Sequence, residues 1–358
     1  MRGIPLQTAL PAARAETRAF LERLNPGGRV IVFCHFDADG LCAGALFGRT
    51  LPRLGFQDVQ VVPSGRGASA FSELARTRPR ALEPAALIVT DLGVTGPGVL
   101  PEVPTLFVDH HQPDGLPAGP VTVVSGYAWD PIPASAWLAH DLLAPLASTE
   151  DLGWIGAVGT ISDLGKRAPW DALPGLKKRY TARWLKEAAA LVNAARRSGA
   201  FDIGTALELL MHAAGPKELA TDDARGADRL RASRAEVNAA LAVARRTAPR
   251  FSATGPFALV RLHSGAQIYP LIAQQWRGRL PGYAVIAANT GYLPGKVAFA
   301  VRTARTDLNL SALLQSVDVG GATESYGHGH DQASGGQLPP EAFKRVLDAL
   351  GFEADAMG

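Results

Sequence analysis

Short apolar runs that end in polar residues dominate the first third of the chain. The run Arg29–Cys34 (RVIVFC) is followed by Val59–Val62, Ala86–Thr90 and Thr105–Val108. Apolar runs of this length, bounded by polar residues, predict buried strands. The segment Leu41–Leu54 between the first two runs reads as a helix. This alternation predicts a βα pattern with polar residues at the carboxyl ends of the strands, where open α/β sheets bind their ligands.

The middle of the chain, from about Pro133 to Arg250, is predicted to be mainly helical. Helices are expected at Ala134–Leu146, Leu152–Ser162, Gly175–Ser198, Thr205–Ala214 and Asp222–Ala248. The last of them is rich in Ala and Arg, contains neither Gly nor Pro after Gly226, and stops before Pro249. Because Pro ends helices, we interpret this segment as a helical connector between two domains.

The final third of the chain returns to strands. They are predicted at Phe257–Leu262, Ala284–Ala288 and Lys296–Arg302. One last helix is expected after Pro340. A length of 358 residues agrees with two domains of roughly 100–200 residues each. We therefore predict an α/β fold with a parallel-sheet domain at 1–220, a helical linker at 221–250 and a smaller α/β domain at 251–358.

Composition excludes several classes of protein. Hydrophobic residues make up 47% and charged residues 19% of the chain, which rules out global disorder. No apolar run approaches the ~18–20 residues that span a membrane, and the N-terminus lacks the apolar core of a signal peptide. Cys34 and Cys42 are too few for a disulfide framework, so a cytoplasmic protein without a membrane partner is expected. The net charge of +3 is compatible with phosphate ligands but does not by itself establish nucleic-acid binding.

The first cluster of candidate ligands follows the first strand. His35, Asp37 and Asp39 are spaced by two residues, which would put their side chains on one side of an extended segment. One imidazole and two carboxylates that converge there suit a divalent cation, and Gly40 allows a tight turn into the next helix. On its own, such an acidic segment also fits a solvated turn.

Three more polar sites end apolar segments. Asp91 follows the third strand, where a single Asp also fits a helix cap or a turn. Asp109, His110 and His111 end the fourth strand, and because consecutive side chains face opposite ways, one His can bind a metal while the other meets the substrate. Asp163 lies at the end of an apolar helix, where a buried carboxylate needs a partner that a metal would supply.

Together these segments resemble the motifs of the DHH phosphoesterase superfamily. The first motif is HFDADG at 35–40, and the second is Asp91 in VTDLG. The third is VDHH at 108–111, and the fourth is Asp163 in GTISDLG. Their order and spacing agree with the family over residues 30–165.

The resemblance implies a centre for two metal ions. The ligands of one ion would be His35 and Asp37, those of the other would be Asp39, His110 and Asp163, and Asp91 would bridge both. Asp109 would orient its neighbours and His111 would face the scissile phosphate, so the catalytic roles fall to Asp91, Asp109 and His111. Oxygen and nitrogen ligands without thiolate favour Mn²⁺, with Mg²⁺ or Co²⁺ as rivals. Two such ions would activate a water for in-line attack on phosphorus.

A Gly-rich segment near the C-terminus supports the same family. GHGHDQASGG is similar to the GGGH-x-x-A-[AS]-G motif of the DHH-associated C-terminal domain, although His328 stands where that pattern usually has Gly. Glycines let backbone amides approach a phosphate closely, and a plain Gly-rich turn is the alternative. The substrate-binding residues that the resemblance implies are Arg302, Arg305 as a weaker choice, Gly327, His328, Gly329, His330 and Ser334.

The resemblance predicts the chemistry better than the substrate. The leading hypothesis is a metal-dependent hydrolase that cleaves phosphodiester bonds of single-stranded DNA or RNA or of short oligonucleotides, like a RecJ-type 5′-exonuclease or a nanoRNase. The alternatives are a phosphatase of pAp or other nucleotides and a cyclic-dinucleotide phosphodiesterase. The non-enzymatic alternative is a nucleic-acid-binding scaffold without activity, and the complete set of four ligand carboxylates argues against it. The sequence pattern indicates neither a direction of degradation nor an oligomeric state.

Overall fold

The structure is a computed structural model whose described part falls into two compact units. It describes residues 3–66, 71–321 and 326–353, apart from the side chains of His328 and His330. The first unit comprises Met1–Arg196 and Asp202–Ala232, and the second comprises Arg197–Phe201 and Ser233–Gly358. Each unit combines a β-sheet with helices, and the predicted α/β class is confirmed.

A parallel sheet forms the centre of the first unit. The described strands of this unit in chain order are β1 Ile4–Pro5, β2 Arg29–Cys34, β3 Asp58–Pro63, β4 Ala86–Thr90, β5 Thr105–Asp109, β6 Val121–Ser125 and β7 Trp129–Asp130. The first and last of them pair with each other, and the other five form a sheet in the order β3-β2-β4-β5-β6. Four of these five strands were predicted, whereas β6 was missed because its mostly half-buried sequence VTVVS is no continuous apolar run.

Strand order explains why distant motifs can meet. The chain runs from β2 outward to β3 and then returns to the other side of β2 to form β4 and β5. The order therefore reverses between β2 and β4, and such a switch point opens a crevice at the carboxyl ends of the strands. All neighbouring pairs are parallel, so β2, β4 and β5 end side by side at this crevice.

Ten helices surround this sheet or lead away from it in the described part of the chain. They are α1 Leu6–Glu22, α2 Ala38–Thr50, α3 Glu73–Arg80, α4 Ser135–Leu143, α5 Gly153–Asp163, α6 Leu173–Tyr180, α7 Ala182–Arg197, α8 Ile203–His212, α9 Pro216–Thr221 and α10 Ala227–Ala244. Alternate residues of β2 face two different apolar layers: Val30 and Val32 pack in one, Ile31 and Phe33 in the other. No helix in the described residues is long and apolar enough to cross a membrane.

Two predicted helices are broken by local backbone geometry. The helix expected over Gly175–Ser198 is two helices, because Thr181 adopts a φ of 65° between α6 and α7. The helix expected from Asp222 starts only at α10, because Gly226, with a φ of 94°, ends a short 3₁₀ turn just before it. The division between the two units falls within α10.

The second unit has a six-stranded mixed sheet. Its strands are β8 Arg250–Phe251, β9 Phe257–Leu262, β10 Ala284–Leu293, β11 Lys296–Thr303, β12 Tyr326–His330 and β13 Ala333–Leu338, in the order β12-β13-β11-β10-β9-β8. Its helices are α11 Tyr269–Arg279, α12 Leu310–Gln315 and α13 Pro340–Ala349. The three predicted strands are present, with β10 and β11 longer than expected, and α11 was not foreseen.

The Gly-rich segment is a hairpin, since it forms most of β12 and β13. A Cβ atom on Gly335 would lie 2.4 Å from the carbonyl oxygen of Phe299 on β11. A Cβ atom on Gly329 would lie 2.2 Å from the carbonyl oxygen of Ala333. Close strand pairing therefore explains both glycines without a bound phosphate.

Candidate metal centre

The first motif forms the turn from β2 into α2. Asp37 is the N-cap of α2, and its Oδ1 accepts a hydrogen bond from the amide of Gly40 at 3.1 Å. Asp39 lies in the first helical turn, so the predicted extended alternation of His35, Asp37 and Asp39 is wrong. The side chains converge because the chain turns into a helix. A Cβ atom on Gly40 would lie 2.5 Å from the His35 carbonyl oxygen, so this turn requires glycine.

Asp91 lies at the centre of the site in an unusual backbone conformation. It follows β4 with a φ of 61° and is buried. Asp is among the non-glycine residues that tolerate this region best, and such outliers often mark functional sites. Its Oδ2 lies 3.6 Å from Nδ1 of His35, and its Oδ1 lies 3.4 Å from Nε2 of His110. One carboxylate thus faces a histidine on each side.

Ser135, at the start of α4, ties two of the carboxylates together. Its hydroxyl donates a hydrogen bond to Oδ1 of Asp91 at 2.9 Å, and its amide donates to Oδ2 of Asp39 at 2.7 Å. The amide of Ala136 donates to the other oxygen of Asp39 at 2.9 Å. The positive end of α4 therefore holds Asp39. Nothing in the sequence pattern points to Ser135 beyond its place in the first turn of a predicted helix.

His110 faces the second group of carboxylates. Its Nδ1 lies 3.9 Å from Oδ2 of Asp163, the last residue of α5, and its Nε2 lies 4.0 Å from Oδ2 of Asp39. Helix α5 approaches closely because Gly159 has no side chain: a Cβ atom there would lie 3.0 Å from Oδ1 of Asp39. Among the described residues, three groups have ligand atoms within 4.8 Å of one another: His35, Asp37 and Asp91; Asp39, His110 and Asp163; and Asp91, His110 and His111.

Asp109 and His111 form a hydrogen-bonded unit beside these groups. Asp109 is buried, and its Oδ1 accepts a hydrogen bond from the amide of His111 at 2.6 Å and contacts Nδ1 of the same ring at 3.0 Å. Its Oδ2 accepts from the amide of Gly93 at 2.7 Å. The His111 side chain is 51% exposed. Asp109 therefore fixes a ring whose other nitrogen, Nε2, remains for a ligand.

The imidazoles carry raised pKa values. Burial lowers the pKa of His35, but the negative charges of Asp37 and Asp91 outweigh it and raise the pKa to about 10. Burial also lowers the pKa of His110, and its hydrogen bond to Asp91 with the charge of Asp39 raises it to about 10. Both rings therefore hold protons at neutral pH without a metal.

The pKa values of two carboxyls are shifted in the same direction, upward. Burial, followed by the charges of Asp91 and Asp163, raises the pKa of Asp39 well above its ordinary value. Burial is also the largest cause of the raised pKa of Asp163. The raised pKa values of the imidazoles and of these two carboxyls have a common cause in the crowded negative charge. A divalent cation compensates that charge and displaces the protons, so the donor set fits a metal.

A cavity of about 350 Å³ opens beside these groups. Its lining residues are His35, Phe36, Ser64, Asp91, Leu92, Gly93 and His111. Ser64 follows β3, and its hydroxyl is buried without a hydrogen-bond partner among the described residues. The sequence gives no signal for it. The cavity therefore offers a polar donor opposite the ligand side chains, with room for a phosphoryl group.

In the second unit, Arg302 lies on β11 opposite Ala333 of β13. Its guanidinium donates hydrogen bonds to the carbonyl oxygens of Val301 at 2.9 Å and Ser334 at 3.2 Å. Arg305 is bound instead to Asp307 through Nε, at 3.1 Å, and through Nη2. Gly327 and Gly329 lie on β12, and the side chains of His328 and His330 are outside the described residues.

A second arginine reaches this hairpin without having been predicted. Arg277 on α11 donates a hydrogen bond to Oε1 of Gln332, in the turn between β12 and β13, at 3.2 Å. Burial, followed by the charge of Arg277, lowers the pKa of Arg302. Neither guanidinium forms an ion pair with a carboxylate in the described part of the chain. We call Arg277 and Arg302 the arginine pair.

Comparisons with known proteins point to one group. No protein-family model matches the chain. The single-stranded-DNA-specific exonuclease RecJ of Thermus thermophilus is 30% identical over 189 residues, 48% of this chain and 28% of RecJ. The chain thus spans little more than a quarter of this relative's length.

Solved structures share the fold. An exonuclease RecJ bound to manganese has a TM-score of 0.64 at 21% identity, over 96% of this chain and 96% of that one. RecJ from Thermus thermophilus with Mn²⁺ has a TM-score of 0.64 at 21% identity, over 95% of this chain and 55% of that one. The DHH domain of a protein described as a member of a family of ribosomal proteins has a TM-score of 0.65 at 14% identity, over 96% of this chain and 90% of that one.

The fold described above is shared with RecJ and with a DHH domain. In sequence, 48% of the chain is similar to RecJ. The metal centre brings together candidate ligands from all four motifs.

Proposed function

We propose that the chain hydrolyses phosphodiester bonds of single-stranded nucleic acid or short oligonucleotides with the help of two divalent ions. The observation that carries the proposal is the pair of ligand groups, His35 with Asp37 and Asp39 with His110, that face each other across Asp91. The curated relative is named as an exonuclease specific for single-stranded DNA. Because the chain spans 28% of that relative, its substrate is part of the proposal.

The ligands would divide as the family resemblance predicts. His35 and Asp37 would hold one ion, Asp39, His110 and Asp163 the other, and Asp91 would contact both. Mixed oxygen and nitrogen ligands favour Mn²⁺ over Mg²⁺ or Co²⁺, and related structures contain Mn²⁺ or Mg²⁺. When bound, such a pair of ions activates water and stabilises charge on phosphoryl oxygens.

The chain's own groups would position the phosphate. A hydrogen bond to Asp109 raises the pKa of His111 and favours its protonated form, which donates to a phosphoryl oxygen. Ser135 keeps the Asp91 carboxylate in one orientation. The Ser64 hydroxyl lines the cavity where that phosphate would enter. Asp91, Asp109 and His111 thus act through orientation and charge.

The second unit would bind another part of the substrate. Arg302 and the segment Gly327–Ser334 are the proposed contacts, whereas Arg305 is weakened as a contact because Asp307 already binds its guanidinium. On this proposal residues 1–220 form the catalytic domain, 221–250 the linker and 251–358 the substrate-binding domain. A cytoplasmic location remains a prediction from composition alone.

The test offers several phosphoesters to the purified chain with Mn²⁺. The substrates are a 5′-labelled dinucleotide, twenty-nucleotide single strands of DNA and RNA, pAp and a cyclic dinucleotide. Stepwise release of mononucleotides from the long strands supports an exonuclease. Turnover confined to the small substrates indicates a nanoRNase, a nucleotide phosphatase or a cyclic-dinucleotide phosphodiesterase. No turnover with Mn²⁺, Mg²⁺ or Co²⁺ contradicts the proposal and favours a binding scaffold.

A further inference from the structure

Positive charge is concentrated in one short segment of the first unit. Residues 164–186 contain seven Lys and Arg residues and one acidic residue, Asp171, a net charge of +6 in a chain whose total is +3. Four of the chain's seven lysines lie in these 23 residues. We call residues 164–186 the basic segment. The rest of the chain is therefore net negative.

Ion pairing differs between the basic segment and other parts of the chain. Elsewhere, arginines pair with acids, as in Arg53 with Asp151 at 2.7 Å and Arg305 with Asp307. In the described part of the chain, no Lys or Arg of the basic segment forms such an ion pair. Its basic residues are Lys166, Arg167, Lys177, Lys178, Arg179, Arg183 and Lys186, and all but Lys177 are exposed. A hydrogen bond from Ser148 and, to a lesser extent, the charge of Arg179 lower the pKa of Glu150, but the segment itself keeps a net charge of +6. An excess of positive charge of this density is typical of a polyanion site.

The basic segment begins at the metal centre and runs away from it. Its first residue follows Asp163, which ends α5. Leu176 on α6 lies against Gly153, the first residue of α5, since a Cβ atom on that glycine would approach the Leu176 side chain to 2.6 Å. The segment therefore returns along the 11 residues of α5. That helix is about 16 Å long, several nucleotides at roughly 3.4 Å per phosphate of a stacked strand.

Two aromatic rings lie among the cations. The Arg179 guanidinium lies 5.2 Å from the ring centroid of Tyr180, and the Arg183 guanidinium lies 5.1 Å from the ring of Trp184. Both rings are half-buried. Planar guanidinium groups over aromatic rings offer faces on which bases stack, and single-strand sites combine such faces with a basic groove.

We propose that the basic segment binds the sugar–phosphate backbone of a single-stranded nucleic acid whose scissile phosphate lies at the metal centre. This inference rests on the proposed function and narrows its substrate to strands longer than a dinucleotide. A lipid surface fits less well, because membrane-binding helices present large apolar side chains beside their cations. Among the described residues of the segment, Leu164 is the one large apolar side chain that is exposed.

The test compares two double variants of the full chain. Arg167→Glu with Lys178→Glu reverses two exposed charges of the basic segment. Arg18→Glu with Arg23→Glu reverses two exposed charges in α1 and at its end, and changes the net charge equally. Anisotropy measures binding of a fluorescent twenty-nucleotide single strand in EDTA over a series of salt concentrations. Mn²⁺-dependent hydrolysis of a dinucleotide is measured in parallel, and circular dichroism checks folding.

The basic-segment variant should bind the strand at least tenfold more weakly at low salt. Its plot of log Kd against log salt should be less steep by about 1.4, because each lost phosphate contact removes about 0.7. The α1 variant should stay within twofold of the unaltered chain, and dinucleotide hydrolysis should be unchanged in both.

Equal binding by the two variants would overturn the proposal, as would an unaltered chain that binds no strand at low salt. Binding to phosphatidylserine vesicles in place of the strand would overturn it too. The proposed function fails separately: if no phosphoester is hydrolysed but only the basic-segment variant loses strand binding, the surface assignment stands and the reaction does not.

Discussion

The metal centre of the first unit and the arginine pair of the second gather charge of opposite sign in different ways. In the metal centre, carboxylates share donors: Ser135 contacts both Asp91 and Asp39. The arginine pair has backbone and amide acceptors but no carboxylate in the described residues. A dense, internally hydrogen-bonded cluster is built to hold a small cation in one geometry. Two arginines with only neutral acceptors suit a larger anion.

The two sites also differ in how the chain builds them. The metal centre lies where three neighbouring strands end, so one sheet edge collects the residues of three motifs, and the end of α5 adds Asp163. The arginine pair joins a strand residue, Arg302, with a helix residue, Arg277, through the turn of a hairpin. Strand ends can be recognised in the sequence as polar residues that follow apolar runs. A helix side chain that contacts a distant turn follows no such pattern. The metal centre is therefore predictable from the sequence pattern, whereas the contribution of Arg277 to the arginine pair is not.

The largest expected effect comes from replacing Asp91, a proposed metal ligand, and is compared with the replacement of an exposed aspartate. Asp91→Asn should lower Mn²⁺-dependent turnover by more than about 100-fold, because loss of even an outer partner of a ligand costs 10–100-fold. Asn tolerates the positive φ that Asp91 adopts, so the backbone should be retained. Steady-state hydrolysis and calorimetric Mn²⁺ binding are the measurements. Asp151→Asn, at an exposed ion pair with Arg53, is the control and should change turnover less than twofold.

A smaller effect tests whether the hydrogen bonds of the metal centre matter. Ser135→Ala removes the donor to Asp91 but keeps the amide that binds Asp39. Mn²⁺ affinity should fall by about 10–100-fold, as expected when a partner that orients a ligand is lost. Ser148→Ala, whose hydroxyl bonds the exposed Glu150, is the matched control. Unchanged Mn²⁺ affinity in Ser135→Ala would show that Asp91 is held by packing alone.

Much of the metal centre could be predicted because its residues end apolar strands. The strand Ala86–Thr90 was predicted with the bounds that the structure has, and Asp91 lies directly beyond it. Ser135 could not be predicted, because its partner Asp39 is 96 residues away and only the packing of α4 against the turn brings them together. Ser64 was missed because only the fold brings it to a cavity that it shares with His35, Asp91 and His111.

The second unit shows where pattern reasoning fails. The glycines of GHGHDQASGG were related to a close approach of backbone amides to a phosphate, but Gly335 is needed because β13 approaches the β11 backbone closely. A glycine indicates that another group lies close to the backbone, but it does not indicate whether that group is a neighbouring strand or a ligand. Helix α11 was missed because it begins YPLIAQQW, where few polar positions mark a face. Because no helix was predicted there, the direction of the Arg277 side chain could not be inferred from the sequence.

The pH dependence of metal binding sharpens the contrast between the sites. His35 and His110 have pKa values of about 10 without metal, so both are protonated near neutrality and must lose protons to bind a cation. Mn²⁺ affinity should therefore rise with pH from 6 toward 9, by about tenfold per pH unit for each proton released. Calorimetry in two buffers of different ionisation enthalpy counts those protons. Binding without proton release would contradict the ligand assignment.

The smallest expected effect tests the arginine pair. Arg277→Ala should raise the KM for a single-stranded substrate roughly tenfold with little change in kcat, because a charge-assisted hydrogen bond contributes about 1.5 kcal/mol or more. Arg279→Ala is the matched control on the same helix, since its guanidinium lies 5.0 Å from the Trp276 ring. Arg277→Lys should recover part of the loss, because it keeps the charge but not the planar fork. If Arg277→Ala and Arg279→Ala have the same KM, Arg277 is only a neighbour of Gln332, and Arg302 is the cation that meets the anion.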